Sequence, residues 1–349
     1  MKKLKVACLF GGKSSEYSIS LVSATSVLKN IDRNKYDVIM IGITKDGNFY
    51  LYEGDIDSIE NDSWFDKKYC KKISFSTNRE DRGFVILDDK VQGSKIVSID
   101  VAFPILHGRN GEDGRLQGLF ELAGIKYVGC GMASSLICMD KFLAHSLVER
   151  ENILVPRSFL FTKNDSYEEI ESSIKSLNFP VFVKPLKAGS SFGITKVEEK
   201  QNLEKAVSDA FVYDDKIVIE ENIDGFEVGC AILGDNELIV GEVDEIELAD
   251  GFFDYEEKYT LKTSKIHLPA RLSSKERENI KNTALRIYRT LGCKGLARVD
   301  MFYTKDGKIV FNEVNTIPGF TSHSRYPSML KAVGYSFGDI IDKLIDMRR

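Results

Sequence analysis

The sequence predicts two or three domains that combine α/β and α+β architecture, with a parallel sheet at the N-terminus. At 349 residues, the chain is longer than a typical single domain. In its first third, apolar strand-like runs alternate with helical patterns, which indicates βαβ units. Further on, a compact unit of strands and helices precedes a section in which strands dominate. The fold class therefore rests on the order of these elements along the chain.

The first third contains strands at 5–10, 36–43 and 99–106 and helices at 14–30 and 111–122, as judged from apolar periodicity. The polar segment 52–90, which holds Trp64, predicts an irregular insertion. Lys5 interrupts the first apolar run, so we expect a buried strand there and not a signal peptide.

The rest of the chain begins with a predicted helix from about Ser134 to Glu151, close to the first domain boundary. An α+β unit follows, with strands at 158–161, 181–184, 194–197 and 217–220 and helices at 167–177 and 202–211. The final section contains strands at 227–233 and 238–245, a helix at 274–291, a hairpin and a last helix.

Composition and charge exclude several classes of protein. Apolar residues make up 43% and charged residues 29% of the chain, so neither disorder nor a membrane span is predicted. The 48 basic and 53 acidic side chains give a net charge of −5 and no basic footprint for nucleic acid. Six cysteines without a Cys-x-x-Cys pair indicate reduced core residues of a cytoplasmic protein and no zinc site.

The segment 295–319 is the most informative stretch, because it predicts a hairpin that carries metal ligands. Asp306-Gly307 lies between two alternating apolar runs and is typical of a two-residue turn. Such a turn places Lys305 opposite Lys308 and fixes the pairing of every residue before and after it.

This pairing brings four polar residues onto one face of the hairpin. Asp300 falls opposite Glu313 and Arg298 falls opposite Asn315, and side chains two residues apart share a face. Two carboxylates and an amide oxygen suit Mg²⁺ that is held together with substrate phosphates. A solvated polar face is the alternative interpretation of the same residues.

A loop in the middle of the chain predicts phosphate binding. Lys184 ends an apolar strand, and the loop Gly189-Ser-Ser-Phe-Gly193 leads into the next strand. Backbone amides and hydroxyls in such a loop can surround phosphate oxygens while the lysine supplies charge. A flexible hairpin tip is the alternative. P-loop and dinucleotide fingerprints are excluded, since Ala7 and the segment 129–134 lack the required glycines.

Three further segments are candidates for ligand contacts. The strand from Ile217 ends in acidic and amide groups that can read an adenine and hold ribose hydroxyls, although a charged strand end is equally compatible. Glu16 follows the first strand, at the sheet edge where α/β proteins bind ligands, and it can hold an ammonium group or complement the helix dipole, with Ser14 as a helix cap. His107 follows another strand, and we interpret it as structural.

Taken together, eight motifs resemble the D-alanine-D-alanine ligase family of ATP-grasp enzymes from end to end. In order, they are GGKSSEYSISLVSA, HGRNGEDGRLQG, MDK, FVKPLKAGSSFGITKV, VIEENIDGFE, FFDYEEKY, ARVD and NEVNTIPGFTSHS. The resemblance implies a three-domain ATP-grasp fold with an N-terminal first-substrate domain at 1–135, a central domain at 136–224 and a C-terminal domain at 225–349, with ATP between the last two.

The resemblance also implies the residues that bind ATP and metal. Two Mg²⁺ (or Mn²⁺) ions would lie near Asp300, Glu313 and Asn315. The residues expected around ATP are Lys141 and Lys184 on the phosphates and Glu220, Glu221, Ile223 and Glu227 around adenosine. The family phosphorylates the carboxylate of a first D-alanine, and the amine of a second substrate attacks the acyl phosphate. Charge stabilisation and positioning are the main contributions of such an enzyme.

The catalytic roles that the resemblance implies are divided among seven residues. Glu16 would hold the first ammonium, and Arg298 and the amide of Gly319 would stabilise the tetrahedral oxyanion. Lys258 and Ser324 would receive the second carboxylate. Ser190 and Tyr259 would link with Glu16 to close a loop from about 248 to 262 over the site and exclude water.

One position departs from the ordinary ligases of the family. They carry an apolar residue after the serine at 324, whereas this sequence has Arg325, as in the vancomycin-resistance ligases that make D-alanyl-D-serine. An arginine can narrow the second-substrate pocket and offer donors to a serine hydroxyl or to polar neighbours that orient it. A solvent-facing arginine is the alternative. Lys258 and Tyr259 argue against a D-lactate ligase.

The sequence therefore predicts a D-alanine-D-serine ligase for peptidoglycan precursors in vancomycin resistance, with a housekeeping D-alanine-D-alanine ligase as the alternative. A non-catalytic ATP-binding protein on the same fold would not need Glu16 and Lys258. Another ATP-grasp ligase, such as a carboxylase, would share only the ATP half. We expect a homodimer that binds neither nucleic acid nor a membrane.

Overall fold

Three β-sheets follow one another along the chain in the computed structural model, which describes residues 3–87, 95–187, 193–248 and 264–349. Within those ranges, no helix is long and apolar enough to span a membrane.

The first sheet has eight strands in the order β6-β5-β4-β3-β2-β1-β7-β8. They are β1 (Leu4–Gly11), β2 (Tyr36–Ile43), β3 (Phe49–Tyr52), β4 (Cys70–Phe75), β5 (Gly83–Ile86), β6 (Lys95–Ser98), β7 (Val101–Pro104) and β8 (Lys126–Tyr127). The helices are α1 (Tyr17–Asn30), α2 (Ile56–Glu60) and α3 (Arg115–Ala123). The predicted parallel sheet is confirmed for β2, β1, β7 and β8, which pair in parallel.

The predicted irregular insertion is wrong. The segment contains α2 and the strands β4 and β5, which extend the sheet in antiparallel fashion from β3. Trp64 is buried and packs edge-on against Phe10 and Tyr52. The polar composition misled the prediction because an antiparallel strand such as β4 can bury one face only and keep polar residues on the other.

The predicted single helix from Ser134 to Glu151 is two helices, α4 (Met132–Met139) and α5 (Lys141–Glu149). Asp140 interrupts them, because its backbone is extended and its side chain accepts a hydrogen bond of 3.0 Å from the amide of Leu143. Both helices pack against the last strand of the chain. The break places Lys141 at the first position of α5.

The central sheet is antiparallel, in the order β11-β10-β12-β9. Its strands are β9 (Ser158–Thr162), β10 (Val181–Pro185), β11 (Thr195–Val197) and β12 (Lys216–Glu221), and its helices are α6 (Tyr167–Ser173) and α7 (Leu203–Ala210) with short 3₁₀ turns at Ile174–Ser176 and Lys200–Asn202. Apolar side chains of these elements form a core of their own, which includes Val183, Ile217 and Ile219.

The third sheet runs β16-β15-β13-β17-β18, with β14 beside β13. The strands are β13 (Gly225–Gly234), β14 (Ile239–Val240), β15 (Asp244–Leu248), β16 (Ser264–His267), β17 (Gly295–Thr304) and β18 (Ile309–Asn315). The helices are α8 (Ser274–Thr290), α9 (Arg325–Lys331) and α10 (Phe337–Asp346). Ser273 and Glu276 form a capping box at the start of α8.

One apolar core joins the first and third sheets. Phe103 of β7 contacts Phe320 edge-on with ring centroids 6.2 Å apart, and the same cluster contains Tyr326 of α9 and Ile341 of α10. The carboxyl ends of β1 and β7 are thereby held beside the segment that follows β18. The three sheets correspond to the three expected domains, and the exact boundaries stay a prediction.

Candidate active site

The hairpin of β17 and β18 turns differently from the prediction. Thr304 pairs with Lys308 through an amide-to-carbonyl bond of 3.0 Å, so the loop has three residues and Lys305 does not lie opposite Lys308. A β-bulge then shifts the register by one residue between Asp300 and Met301. These two departures cancel, because a bulge adds one residue to one strand only.

The cancellation leaves the predicted pairing of the site residues correct. Asp300 lies opposite Glu313 and Arg298 lies opposite Asn315. Arg298 Nε donates to both carboxylate oxygens of Asp300 at 2.8 and 3.0 Å, and Arg298 Nη2 donates to Oδ2 at 2.8 Å. The amide nitrogen of Asn315 donates to the same carboxylate at 2.8 Å. Asp300 is only 1% exposed, so its charge requires these donors.

Lys141 lies beside Glu313, one of the two hairpin carboxylates. Its ammonium is 3.5 Å from Glu313 Oε2, and its side chain is buried. The helix break at Asp140 is what directs Lys141 from the start of α5 towards β18. Within the described ranges, no group of three or more His, Cys, Asp or Glu side chains is placed to hold a metal ion. Two carboxylates and an amide would need additional oxygens from a ligand.

Arg325 is buried, which excludes the solvent-facing alternative. Its guanidinium donates to Asp244 Oδ2 and Oδ1 at 2.7 and 2.8 Å and to Glu227 Oε1 at 2.8 Å. Its Nη2 is also 3.4 Å from Asp300 Oδ1. Asp244 is 1% exposed and accepts a further bond of 2.9 Å from the amide of Gly229. Sequence reasoning missed Asp244, since nothing local in β15 indicates a partner 81 residues away.

Lys184 and Glu220 form a buried ion pair on neighbouring strands β10 and β12. Burial opposes ionisation of Glu220, but the charges of Lys184, His145 and Lys141 outweigh it and hold the pKa of this carboxyl below its ordinary value. The predicted phosphate lysine is therefore fixed by a carboxylate that was predicted to face adenosine. The adenosine contact of Glu220 stays a prediction.

His145 of α5 was missed by the sequence reasoning. Its Nε2 bonds to the carbonyl oxygen of Asn312 at 2.7 Å, at the bulge of β18. Its Nδ1 is 3.8 Å from Glu220 Oε1, which is too long for a hydrogen bond, and neither of these two buried atoms has a hydrogen-bond partner among the described residues. Burial lowers the pKa of His145. The ring thus connects the β17–β18 hairpin with Glu220 of β12, which is the ion-pair partner of the predicted phosphate lysine Lys184.

Glu221 and Ile223, which were also predicted around adenosine, lie at the end of β12 and just after it. Glu221 accepts bonds from Arg157, at 2.9 Å from the backbone amide and 2.8 Å from Nε. Ile223 lines a cleft of about 460 Å³ together with Asn222 and residues of the β17–β18 turn. This cleft lies where the central and third sheets meet.

Glu16 lies immediately before α1 and is buried. The predicted helix cap at Ser14 is wrong, since its hydroxyl accepts a bond of 3.1 Å from the amide of Glu16 and does not cap α1. Gly108 packs directly on this carboxylate, and a Cβ at 108 would collide with Glu16 Oε2. The structural interpretation of His107 is confirmed, since Nδ1 contacts Ile317 O at 2.8 Å and Nε2 contacts Ser23 Oγ at 3.0 Å.

Glu112 links the first sheet to the segment after β18. Its carboxylate accepts bonds from the amide of Gly108 at 2.8 Å and from the amide of Ile317 at 2.7 Å. Burial, reinforced by the negative charge of Glu16, raises the pKa of Glu112 to about 8. The residue belongs to the HGRNGEDG motif, which was the one available signal, but its cross-sheet partner could not be read from the sequence.

Gly319 and Ser324 lie together after β18. A Cβ at Gly319 would be 3.3 Å from Ser324 Oγ, which itself accepts a bond of 3.0 Å from the amide of Thr321. Ser324 precedes α9, so Arg325 begins that helix directly beside it. The structure thus brings together the predicted oxyanion, second-carboxylate and specificity residues. Ser190, Lys258 and Tyr259 lie outside the described residues, as does most of the predicted loop 248–262.

Two family models match this chain, described as D-ala D-ala ligase N-terminus over residues 5–130 and D-ala D-ala ligase C-terminus over residues 147–346. The chain is 45% identical over 343 residues to the vancomycin C-type resistance protein VanC1 of Enterococcus gallinarum, which covers 98% of this chain and 97% of that protein. It is also 45% identical over 352 residues to a D-alanine–D-alanine ligase of Caldicellulosiruptor bescii, at 99% and 95% coverage.

A solved structure agrees with these matches. The crystal structure of the VanG D-Ala:D-Ser ligase from Enterococcus faecalis is similar to this fold with a TM-score of 0.92 and 53% identity, covering 100% of both chains. The predicted three-domain ATP-grasp fold is therefore confirmed. Because the models match most of the chain and these relatives extend over nearly all of it, the protein belongs to the D-alanine-D-alanine ligase family of ATP-dependent ligases.

Proposed function

We propose that this protein joins D-alanine to D-serine through a D-alanyl phosphate, for peptidoglycan precursors in vancomycin resistance. The observation that carries the proposal is the buried guanidinium of Arg325, held by Asp244 and Glu227 beside Ser324. A side chain fixed in this way presents polar groups near the expected site of the second carboxylate, where an apolar residue would present none. The 53% identity to a D-Ala:D-Ser ligase supports the same choice.

The first half-reaction uses residues from the first sheet, the central sheet and the segments that connect them to the third. Glu16 holds the ammonium of the first D-alanine, and the carboxylate of that D-alanine attacks the terminal phosphate of ATP. Lys141 and Lys184 bind the phosphates, where their charges offset the negative charge that gathers in the transition state. ADP leaves and D-alanyl phosphate remains. Glu220, Glu221, Ile223 and Glu227 surround the adenosine.

Asp300, Glu313 and Asn315 fit two Mg²⁺ ions. Their two carboxylates and one amide oxygen lie on one hairpin face, and an octahedral cation would complete its shell with phosphate oxygens and water. Arg298 and Asn315 occupy the Asp300 oxygens in this structure, so metal binding requires these donors to move or the Asn315 amide to turn its oxygen inwards. The ions would supply charge neutralisation at the phosphates.

The second half-reaction uses the segment after β18. Lys258 and Ser324 receive the carboxylate of D-serine, and its amine attacks the acyl phosphate carbon. Arg298 and the amide of Gly319 stabilise the oxyanion, after which phosphate leaves and the peptide bond is complete. Ser190 and Tyr259 close over the site with Glu16 and keep water from the acyl phosphate.

The deciding experiment measures ADP formation with ATP, Mg²⁺ and D-alanine, alone and with D-serine or D-lactate, and identifies the dipeptides by mass spectrometry. We expect a higher kcat/KM for D-serine than for D-alanine as second substrate. A preference for D-alanine would favour the alternative, a housekeeping D-alanine-D-alanine ligase, to which relatives at 45% identity also point. ATP binding without any dipeptide would contradict both.

The quaternary state and location belong to the same proposal. We expect a cytoplasmic homodimer, because the family resemblance implies a dimer and six cysteines without a Cys-x-x-Cys pair indicate reduced thiols. Light scattering after gel filtration should give twice the mass of the chain, and a monomer would contradict this expectation.

A further inference from the structure

A cavity of about 350 Å³ lies at the carboxyl ends of β1, β2 and β7 in the first sheet. Strand β1 lies between β2 and β7, and the chain leaves it through α1 on one side and reaches β7 on the other. Crevices at such reversals of strand order are preferred ligand sites in open α/β sheets. The volume is within the range of small-molecule pockets.

The cavity is separate from the reaction centre described above. Glu16, Arg298 and Gly319 do not line it. The loop 108–111 lies between the two sites, with Gly108 packed on the Glu16 carboxylate and Arg109, Asn110 and Gly111 on the cavity side. One wall of the cavity comes from α3, through Arg115, Leu116 and Leu119.

The cavity has an apolar floor and a cationic mouth. Its floor is formed by Ile43, Phe49, Leu106, Leu116 and Leu119. At the mouth, Lys13 and Arg109 are exposed, and neither makes an ion pair with any residue in the described ranges. Arg115 is also there but pairs with Asp113, and Asp46 is the one carboxylate among the described lining residues.

We propose that this cavity is a second small-molecule site, which takes an organic anion with an apolar body. The body would cover the five apolar side chains, and a carboxylate or phosphate head would reach Lys13 and Arg109. Charge-assisted bonds to two cations at the edge of an apolar surface are stronger than neutral ones. Two cations without an ion-pair partner in the described ranges, at one pocket of a chain whose net charge is −5, favour the binding of an anion there.

We expect a ligand bound in the cavity to affect the first-substrate site at Glu16. The carbonyl oxygen of Lys13 accepts a bond of 3.0 Å from the side-chain Nδ2 of Asn110, so the two loops that line the cavity are tied together. The same loop lies close to Glu16, since a Cβ added at Gly108 would be only 2.2 Å from Glu16 Oε2. A ligand that draws Lys13 and Arg109 inwards therefore displaces the loop that backs Glu16. Only this coupling rests on the proposed function; the binding itself does not.

The test measures binding to the full chain by calorimetry and by ligand-observed NMR. The probes are 4-phenylbutanoate, phenyl phosphate and the neutral 4-phenylbutanol, each with and without saturating D-alanine and ATP. We expect the anions to bind in both conditions and the alcohol to bind at least tenfold more weakly. The stronger of the two anions identifies the head group. Displacement by D-alanine, or equal binding of the alcohol, would overturn the proposal.

Variants locate the site. Lys13→Gln and Arg109→Gln should each weaken binding of the stronger anion about tenfold, while Lys72→Gln, an exposed lysine of the same sheet on β4, should leave it unchanged. Leu119→Trp should abolish binding by filling the cavity. Should that variant fail to fold, the two exposed-residue variants still decide. Unchanged affinity in both of them refutes the assignment.

The coupling has its own readout. The bound anion should change KM for the first D-alanine in the unmodified protein and in Lys72→Gln but not in Arg109→Gln. Anion binding without any change in KM would leave a site uncoupled from catalysis and refute that part alone. A protein without ligase activity would still bind the probes, so the proposed function and this site can fail independently.

Discussion

Replacing Arg325 by leucine should destabilise the protein before it changes the choice of substrate. The variant removes three charge-assisted hydrogen bonds of 2.7 to 2.8 Å. Among the described residues, it leaves Asp244 with one donor, the amide of Gly229. Asp244 is 1% exposed, so water does not replace the guanidinium. Breaking one side of a buried ion pair costs about 3 to 5 kcal/mol.

The remaining amide bond and the proximity of Arg298 favour the lower end of that range, about 3 kcal/mol. In a protein of 349 residues, we expect a fall in Tm on the order of 4 °C. Asp244→Asn should cost less, and the double variant Asp244→Asn/Arg325→Leu should recover at least roughly 1 kcal/mol relative to Arg325→Leu, because the unpaired charge is gone.

The assay is urea unfolding of the four proteins of this cycle, without substrates. Arg157→Leu is the matched control, because Arg157 binds Glu221 through bonds of 2.7 to 2.9 Å but its side chain is 57% exposed. We expect that control to lose no more than about 1 kcal/mol. An Arg325→Leu variant as stable as the control would refute a buried charge cluster at this position. So would a double variant whose loss of stability, relative to the unmodified protein, equals the sum of the two single losses.

The same variant then tests specificity, at a temperature where all four proteins are folded. Loss of the guanidinium should lower the ratio of kcat/KM for D-serine to that for D-alanine by about tenfold or more, since each lost hydrogen bond to a charged group has that effect. An unchanged ratio would exclude Arg325 from substrate choice while leaving its structural role intact.

Three further predictions concern residues around the two half-reactions. The folded state raises the pKa of Glu112 from 4.5 to about 8 and so favours its protonated form, which means that the unmodified protein should lose stability as the pH rises between these two values. Glu112→Gln should remove this loss, and parallel pH profiles of stability for the two proteins would contradict this. His145→Phe should raise KM for ATP several-fold and leave KM for D-alanine unchanged, since the ring contacts Asn312 and Glu220; equal effects on both substrates would indicate a merely structural role. Asp300→Asn should lower kcat at least about a hundredfold and raise the Mg²⁺ requirement, with Asp306→Asn at the hairpin tip as an unaffected control.

The hairpin illustrates how a correct site can come from a partly incorrect structure. The turn was predicted one residue too short, and the bulge near Asp300 was not predicted at all. Local chemistry locates a turn well, but loop length and bulges depend on how the strand must twist against its neighbours. The predicted register at the candidate metal ligands was right because each error shifts the register by one residue and the two shifts are in opposite directions.

Helix α5 shows the converse. Apolar periodicity continues smoothly from Ser134 to Glu151, so it predicts one helix, whereas Asp140 ends one and caps the next. An aspartate within an apolar pattern is a weak local signal, and the packing of both helices on β18 decides the break. The break matters for function because a continuous helix would not direct Lys141 from a helix start towards Glu313.

Partners across the fold account for what sequence reasoning missed. Each of the missed residues has a hydrogen-bond partner far away along the chain. The partner lies 81 residues away for Asp244, 205 for Glu112 and 167 for His145. Arg325 touches both Asp244 and Asp300, so the residue proposed to choose the second substrate shares a buried charge cluster with the residue proposed to hold the metal. Substitutions at 325 therefore also change the balance of charge at Asp300, and we expect an apolar residue there to be tolerated better when Asp244 is replaced by asparagine at the same time.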